Sequence, residues 1–214
     1  MLIALIVLVA LVVVAATLQL AIPRIAERRV RERLTAGGGS ADVSIAAIPA
    51  TRLLRNSGDR LLVRGSGLEI GLAGGAERPG PAGLTALDGF DEVDVELVDF
   101  RAGPFAIAAF VLERAAGETY AMATRGTTTG AELARMGGDL LRGLPGAGVV
   151  GAVAGGVRGV PLSQLEVSIE VQLELISEEG GLRVGTGSGS IGGYPAGPAA
   201  TAIAAAVARR LEIV

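Results

Sequence analysis

Apolar and polar positions divide the chain into a bare apolar run, an amphipathic run and a series of alternating runs. Met1 to Ile22 carries no charged side chain, and only Thr17 and Gln19 are strongly polar. About 20 apolar residues at a rise of ~1.5 Å per residue cross a bilayer core, so the run is long enough to span. A cleaved signal peptide has a shorter apolar region, a basic leader and an A-x-A-like site. Here nothing basic precedes the run and Ala15-Ala16-Thr17 is a poor cleavage site, so residues 1–22 read as an uncleaved anchor. Pro23 suits the first turn of a new helix. Residues 23–36 then form a juxtamembrane amphipathic helix with Ile22, Ile25, Ala26, Val30 and Leu34 as a ragged apolar stripe. Glu27 with Arg31 and Arg28 with Glu32 stand at i,i+4 on its polar side. A basic segment beside an anchor can lie on anionic headgroups, and an ordinary domain helix with a solvated face shows the same pattern.

Residues 40–214 form one α+β domain in which strand signals dominate. Asp42 to Ile48 is extended and meets Pro49, which belongs at a strand end or edge. Arg60 to Leu72 alternates, with Gly65 and Gly67 marking a bulge. Ala73 to Gly83 is a Gly/Pro loop. Val93, Val95 and Leu97 stand opposite Asp94 and Glu96; Gly103-Pro104 then turns or kinks the chain, and Ala115 to Glu118 makes a hairpin into Thr119 to Thr124. Thr129-Gly130-Ala131-Glu132 fits a capping box opening a helix whose apolar face is Leu133, Met136, Leu140 and Leu144. Leu165, Val167, Ile169, Val171, Leu173 and Leu175 alternate without exception against Gln164, Glu166, Ser168, Glu170, Gln172 and Glu174, which predicts a long strand with one wet face. A further strand, "LRVGTGSGSI", and a small-residue helix from about Pro198 to Arg209 close the domain. Strands and helices do not alternate regularly, so the sheet is expected to be mostly antiparallel.

One strand breaks the one-wet-face rule. From Phe105, one parity carries Phe105, Ile107, Ala109 and Val111, and the other carries Ala106, Ala108, Phe110 and Leu112. An antiparallel strand over a single core should be polar on its outer face. Either a second protein layer covers the other face, or that face lines a groove for an apolar ligand.

Composition narrows the chemistry. The chain has no His, Cys, Lys or Trp, so imidazole bases, thiolate nucleophiles, Schiff-base lysines and thiolate metal sites are all missing. A net charge of −3 gives no electrostatic case for nucleic acid. Asp88, Asp91, Glu92 and Asp94 form the only dense acidic cluster, and their spacing misses the EF-hand pattern. Two G-x-G-x-x-G matches, at Gly146-Gly148-Gly151 and Gly187-Gly189-Gly192, lack the strand–turn–helix setting of a dinucleotide site, and 33 glycines make chance matches expected. Gly185, Gly187 and Gly189 instead bare one face of a strand to a close neighbour. Gly146 to Val157 is small, apolar and too short to span; it reads as a buried loop or one that dips into a membrane. No enzyme activity and no cofactor are expected.

The N-terminal apolar run, the Arg/Glu helix and "VSIAAIPATRLLRNSGDRLLVRGSGLEI" together resemble the actinobacterial LmeA-like phospholipid-binding family. The residues that carry the likeness are Val43, Ile45, Pro49, Leu53, Leu54 and Gly58. The resemblance implies a TULIP-like domain, a curved and mostly antiparallel sheet wrapped against helices, with a phospholipid or lipid precursor held between them. It implies lipid contacts at Phe100, Phe105, Ile107, Phe110 and Leu112, and at Val167, Ile169 and Val171 of the alternating strand. The function expected is a non-catalytic, membrane-anchored cell-envelope protein that binds or transports lipid. The alternative is an envelope scaffold that docks a partner protein through its apolar surface. Arg24, Arg28, Arg29, Arg31 and Arg33 follow the anchor, and the positive-inside rule alone would place the domain in the cytoplasm. The resemblance implies the outer face, and the domain is expected to be extracytoplasmic.

Overall fold

The computed structural model describes residues 2–72, 84–132, 166–178, 181–191 and 194–213. Its class is α+β, with an N-terminal apolar helix and a mostly antiparallel sheet. Helix α1 runs without interruption from Leu2 to Leu34. Pro23 therefore lies inside a helix and does not open a second one: it has no N–H to donate to the Gln19 carbonyl four residues earlier. Side chains from Ile3 to Leu18 meet no protein cover where they are described. Beyond them, Ala26, Val30 and Leu34 repeat every four residues and are buried in the core, whereas Ile25 of the expected stripe is exposed.

The strands are β1 (Ser40–Ala46), β2 (Gly58–Ser66), β3 (Glu69–Ile70), β4 (Phe90–Ala102), β5 (Phe105–Ala116), β6 (Thr119–Thr129), β7 (Glu166–Glu178), β8 (Gly181–Ile191) and β9 (Tyr194–Pro195). Among the described residues they form one sheet in the order β1-β2-β4-β5-β6-β7-β8-β9, with β3 continuing beside β4. Among the described residues only the β2–β4 and β3–β4 pairings are parallel. Between β1 and β2, a cis Ile48–Pro49 peptide leads into a 3-10 turn, Ala50–Arg55. Helix α2 (Thr85–Asp88) precedes β4, and helix α3 (Gly197–Arg210) packs on β7 and β8. Residues 203–208 of α3 are all buried; alanines at four of these six positions let the helix approach its neighbours closely. Arg210 donates to the Arg33 carbonyl (2.8 Å), Arg29 to the Ile213 carbonyl (3.3 Å) and Ile213 N–H to Asn56 Oδ1 (3.2 Å), which fastens the C-terminal segment to α1 and the 3-10 turn.

Local signals behave as their chemistry dictates. Glu132 N–H donates to Thr129 Oγ1 (3.2 Å) and Thr129 N–H to Glu132 Oε2 (3.3 Å), so the capping box forms. The helix face at Leu133, Met136, Leu140 and Leu144, the loop at 73–83, the apolar run at 146–157 and Leu165 lie outside the described residues. In β7 the alternation holds from Glu166 to Leu175, with Glu166, Glu170 and Glu174 exposed. Gly187 takes φ +130°, and a Cβ there would stand 2.3 Å from the Gln172 carbonyl oxygen, so the close neighbour of the glycine strand is β7.

The β7 alternation yields a paired expectation. Ile169→Asp places a charge in the core and should cost at least ~4 kcal/mol, leaving the domain unfolded by circular dichroism. Glu170→Gln removes only an exposed ion pair with Arg125 (3.7 Å) and should change stability by less than about 1 kcal/mol. Equal losses at the two positions would mean that β7 is buried on both faces.

Candidate functional site

The Phe-rich strand resolves its two apolar parities with a bulge. On β5, Ile107 pairs with Gly126 of β6 and Ala109 pairs with Arg125, so Ala108 is one residue too many. Phe105 and Ile107 before it, and Phe110 and Leu112 after it, consequently point to the same inner face and are buried. The expectation that the two pairs would face opposite ways is corrected by this extra residue. The break runs through the neighbouring strands. On β4, Asp99 takes φ +49° between Leu97 and Phe100, both buried. Gly67, at φ +64°, separates buried Val63 from buried Leu68. Strand β6 has no break: Tyr120, Met122, Thr124, Gly126 and Thr128 are buried in strict alternation. Gly126 has no side chain because a Cβ there would lie 2.4 Å from the Ala106 carbonyl oxygen. The Thr124 hydroxyl donates to the Ala109 carbonyl (3.1 Å) beside the bulge, and the Thr128 hydroxyl to the Pro104 carbonyl (2.9 Å).

Seven of the eight sequence-predicted lipid contacts come together: Phe100, Phe105, Ile107, Phe110, Leu112, Ile169 and Val171 belong to one core cluster. Val167 is buried but lies outside that cluster, and each of the eight is at most 7% exposed. Phe100 and Phe110 meet edge to face, with centroids 6.1 Å apart. The inner face is closed in this arrangement. Among the described residues the only buried polar side chains are Thr124, Thr128 and Ser177, and no buried side chain is charged.

A polar network sits at one end of the sheet. The Tyr120 hydroxyl donates to Asp88 Oδ1 (2.9 Å) and the Ser177 hydroxyl to Asp88 Oδ2 (2.7 Å). Arg114 lies over the Tyr120 ring (5.7 Å to the centroid) and donates to the Asp88 carbonyl (2.8 Å) and the Phe90 carbonyl. Burial and the adjacent Asp88 carboxylate push the Tyr120 phenol well above its ordinary value. Among the described residues no buried side-chain polar atom lacks a hydrogen-bond partner, and the network holds α2 against β4, β6 and β7.

The outer face falls into two zones. Over β2 and β4 it is an ion-paired ladder: Arg60 with Glu92 (2.6 Å), and Arg64 with Asp94 (2.8 Å) and Glu96 (2.9 Å). Arg64 hydrogen-bonds Asp94 through two nitrogens and holds its carboxyl below the usual carboxylate range. The acidic cluster is thus divided, with Asp88 half-buried in the polar network and Asp91, Glu92 and Asp94 each beside an arginine. Among the described residues no group of three or more acidic side chains could hold a metal ion. Over β5 and β6 the face is small and largely uncharged: Ala106, Ala108, Ala109, Val111, Ala121 and Ala123. Shallow depressions of about 480 and 400 Å³ open there, one along the bulge line at Gly67, Asp99 and Ala108, the other between Val111, Ala123 and Gly187. Sequence reasoning missed this zone because it assigned Ala106 and Ala108 to the face of Phe110 and Leu112.

No protein-family model, curated protein or solved structure matches the chain.

Two substitutions test the network. Asp88→Ala leaves the Tyr120 and Ser177 hydroxyls without their acceptor and should cost ~2–4 kcal/mol in denaturant unfolding. Because the folded-state pKa of Tyr120 is raised, its contribution is complete below the ordinary tyrosine value of about 10 and is lost as pH climbs above it. Tyr120→Phe should flatten the fall in stability above about pH 10; an unchanged alkaline slope would mean that the phenol is not shielded.

Proposed function

We propose that the protein is a membrane-anchored, non-catalytic module of the cell envelope that binds or transports a phospholipid or lipid precursor. The observation that carries the reading is the continuity of α1. Its N-terminal half is apolar and long enough to cross a membrane, with no protein around it, while its C-terminal half is built into the core of the sheet domain. A bare apolar helix of that length is stable in lipid and costly in water. The uncharged inner face supplies the second support, since pockets for apolar ligands are mostly apolar with few polar groups. On this reading an acyl chain takes its place along Phe100, Phe105, Ile107, Phe110 and Leu112 and continues over Val167, Ile169 and Val171, and the elements packed there open to admit it. The resemblance to LmeA-like, TULIP-type lipid binders points the same way and implies a domain outside the cytoplasm.

A second reading rests on a different observation. The largely uncharged zone of Ala106, Ala108, Ala109, Val111, Ala121 and Ala123 is accessible, and it suits an envelope scaffold that docks a partner protein and carries no lipid. Native mass spectrometry of the full chain, extracted from membranes in mild detergent, separates the two. The lipid reading expects phospholipid-sized adducts that survive detergent removal and are unaffected by Ala121→Trp on the outer face. Lipid-free protein carrying a protein partner that Ala121→Trp dislodges would replace it with the scaffold.

A further inference from the structure

We propose that the loop and 3-10 turn from Ile48 to Leu54 form a second membrane contact, dipping into the headgroup–acyl boundary beside the point where α1 leaves the bilayer. The inference rests on the membrane-anchored reading of α1 and adds to it which end of the domain faces lipid and through which side chains.

The geometry comes from three links between α1 and β1. Arg31 pairs with Asp42 (3.5 Å), Ile45 N–H donates to Glu27 Oε1 (2.9 Å), and the Gln19 side-chain amide donates to the Ala47 carbonyl (2.8 Å). As β1 advances, its partners on α1 step back toward the N-terminus, so β1 runs toward the apolar half of the helix. Gln19 also accepts the Ala50 N–H (2.8 Å), which fixes both ends of the Ile48–Pro49 corner at the level of residue 19. Charge-free sequence continues to Pro23, four residues or ~6 Å further along the helix, so this corner lies near the end of the apolar run. With both polar ends of the Gln19 amide satisfied by backbone, that side chain sits at the boundary without an unpaired group.

The turn is two-sided. Ala50 and Leu53 are buried, whereas Ile48 is 77% and Leu54 65% exposed. Single exposed apolar residues are ordinary on protein surfaces. These two differ because they are large, share one short turn and stand at the height where a spanning helix enters headgroups. Arg24 and Arg55 are exposed at the same end, which suits anionic headgroups. The opposite end of the sheet, where Ser40, Ser66 and Val98 share a register, points away from lipid.

The chain has no tryptophan, so each introduced Trp is a single reporter. Leu11→Trp, Ile48→Trp, Leu54→Trp and Val98→Trp are each placed in the full chain and reconstituted in phosphatidylcholine/phosphatidylglycerol vesicles, with and without lipids brominated near the headgroup end of the acyl chain. The proposal expects Trp emission at positions 48 and 54 to be blue-shifted and quenched roughly twofold by brominated lipid, while position 98 is unaffected. Quenching at position 11 with water-like, unquenched emission at both 48 and 54 overturns the proposal and leaves the anchor standing. No quenching at position 11 overturns the anchor and the proposal with it.

Discussion

The seam between α1 and β1 sets the frame on which the other elements are arranged. A single helix has an apolar half with no protein around it and a second half whose Ala26, Val30 and Leu34 are core residues. The change of surroundings falls close to Pro23 and Gln19. Proline at position 23 has no N–H for the Gln19 carbonyl, and the Gln19 side chain meanwhile holds the Ala47–Ala50 corner by two hydrogen bonds. Once α1 is docked, β1 is aligned antiparallel to it, and β2 and β4 follow by pairing. The C-terminal segment returns to the same helix through Arg29, Arg33 and Arg210. The first strands and the C-terminal segment therefore meet on the second half of one helix, and the orientation of the sheet is tied to the direction of the apolar half.

The second constraint is the line of breaks through Gly67, Asp99 and Ala108. Each shifts the buried parity of its strand by one, and together they keep the inner face apolar across three neighbouring strands while β6 runs straight. A sheet needs such extra residues wherever its strands must bend or twist more strongly than regular pairing allows. The consequence for function is a division of labour between faces. The large apolar side chains of β4 to β7 are gathered mostly inside, and the outside is left with arginine–carboxylate ladders at one side and small residues at the other.

Strand β7, the capping box at Thr129 and Glu132 and the alanine helix α3 were legible from the sequence, because each depends on neighbours a few residues away. The membrane-length run was equally plain. The course of α1 through Pro23 was not, since a proline inside a helix and one opening a helix differ only in what packs around them. Phe105 to Leu112 was misjudged for a reason that the sequence did contain. Leu97 to Phe100 on β4 and Ile107 to Phe110 on β5 skip the same beat, at equal distances from the Gly103-Pro104 turn. Matched skips on the two arms of a hairpin mark facing bulges, not two apolar faces. The partners of Gln19 lie 28 and 31 residues away and depend on a 3-10 turn that no periodicity announces.

Spin labels scanned along α1 test the central claim, that one helix serves lipid with its first half and the core with its second. Single cysteines from position 5 to position 34 can be labelled singly in a chain without native cysteine, then compared in vesicles for collisions with oxygen and with a water-soluble nickel complex. Labels from 5 to 18 should be open to oxygen on every side of the helix and closed to nickel, and labels at 26, 30 and 34 should be immobile and closed to both. Nickel access along the first half, or mobile labels at 26, 30 and 34, would contradict it.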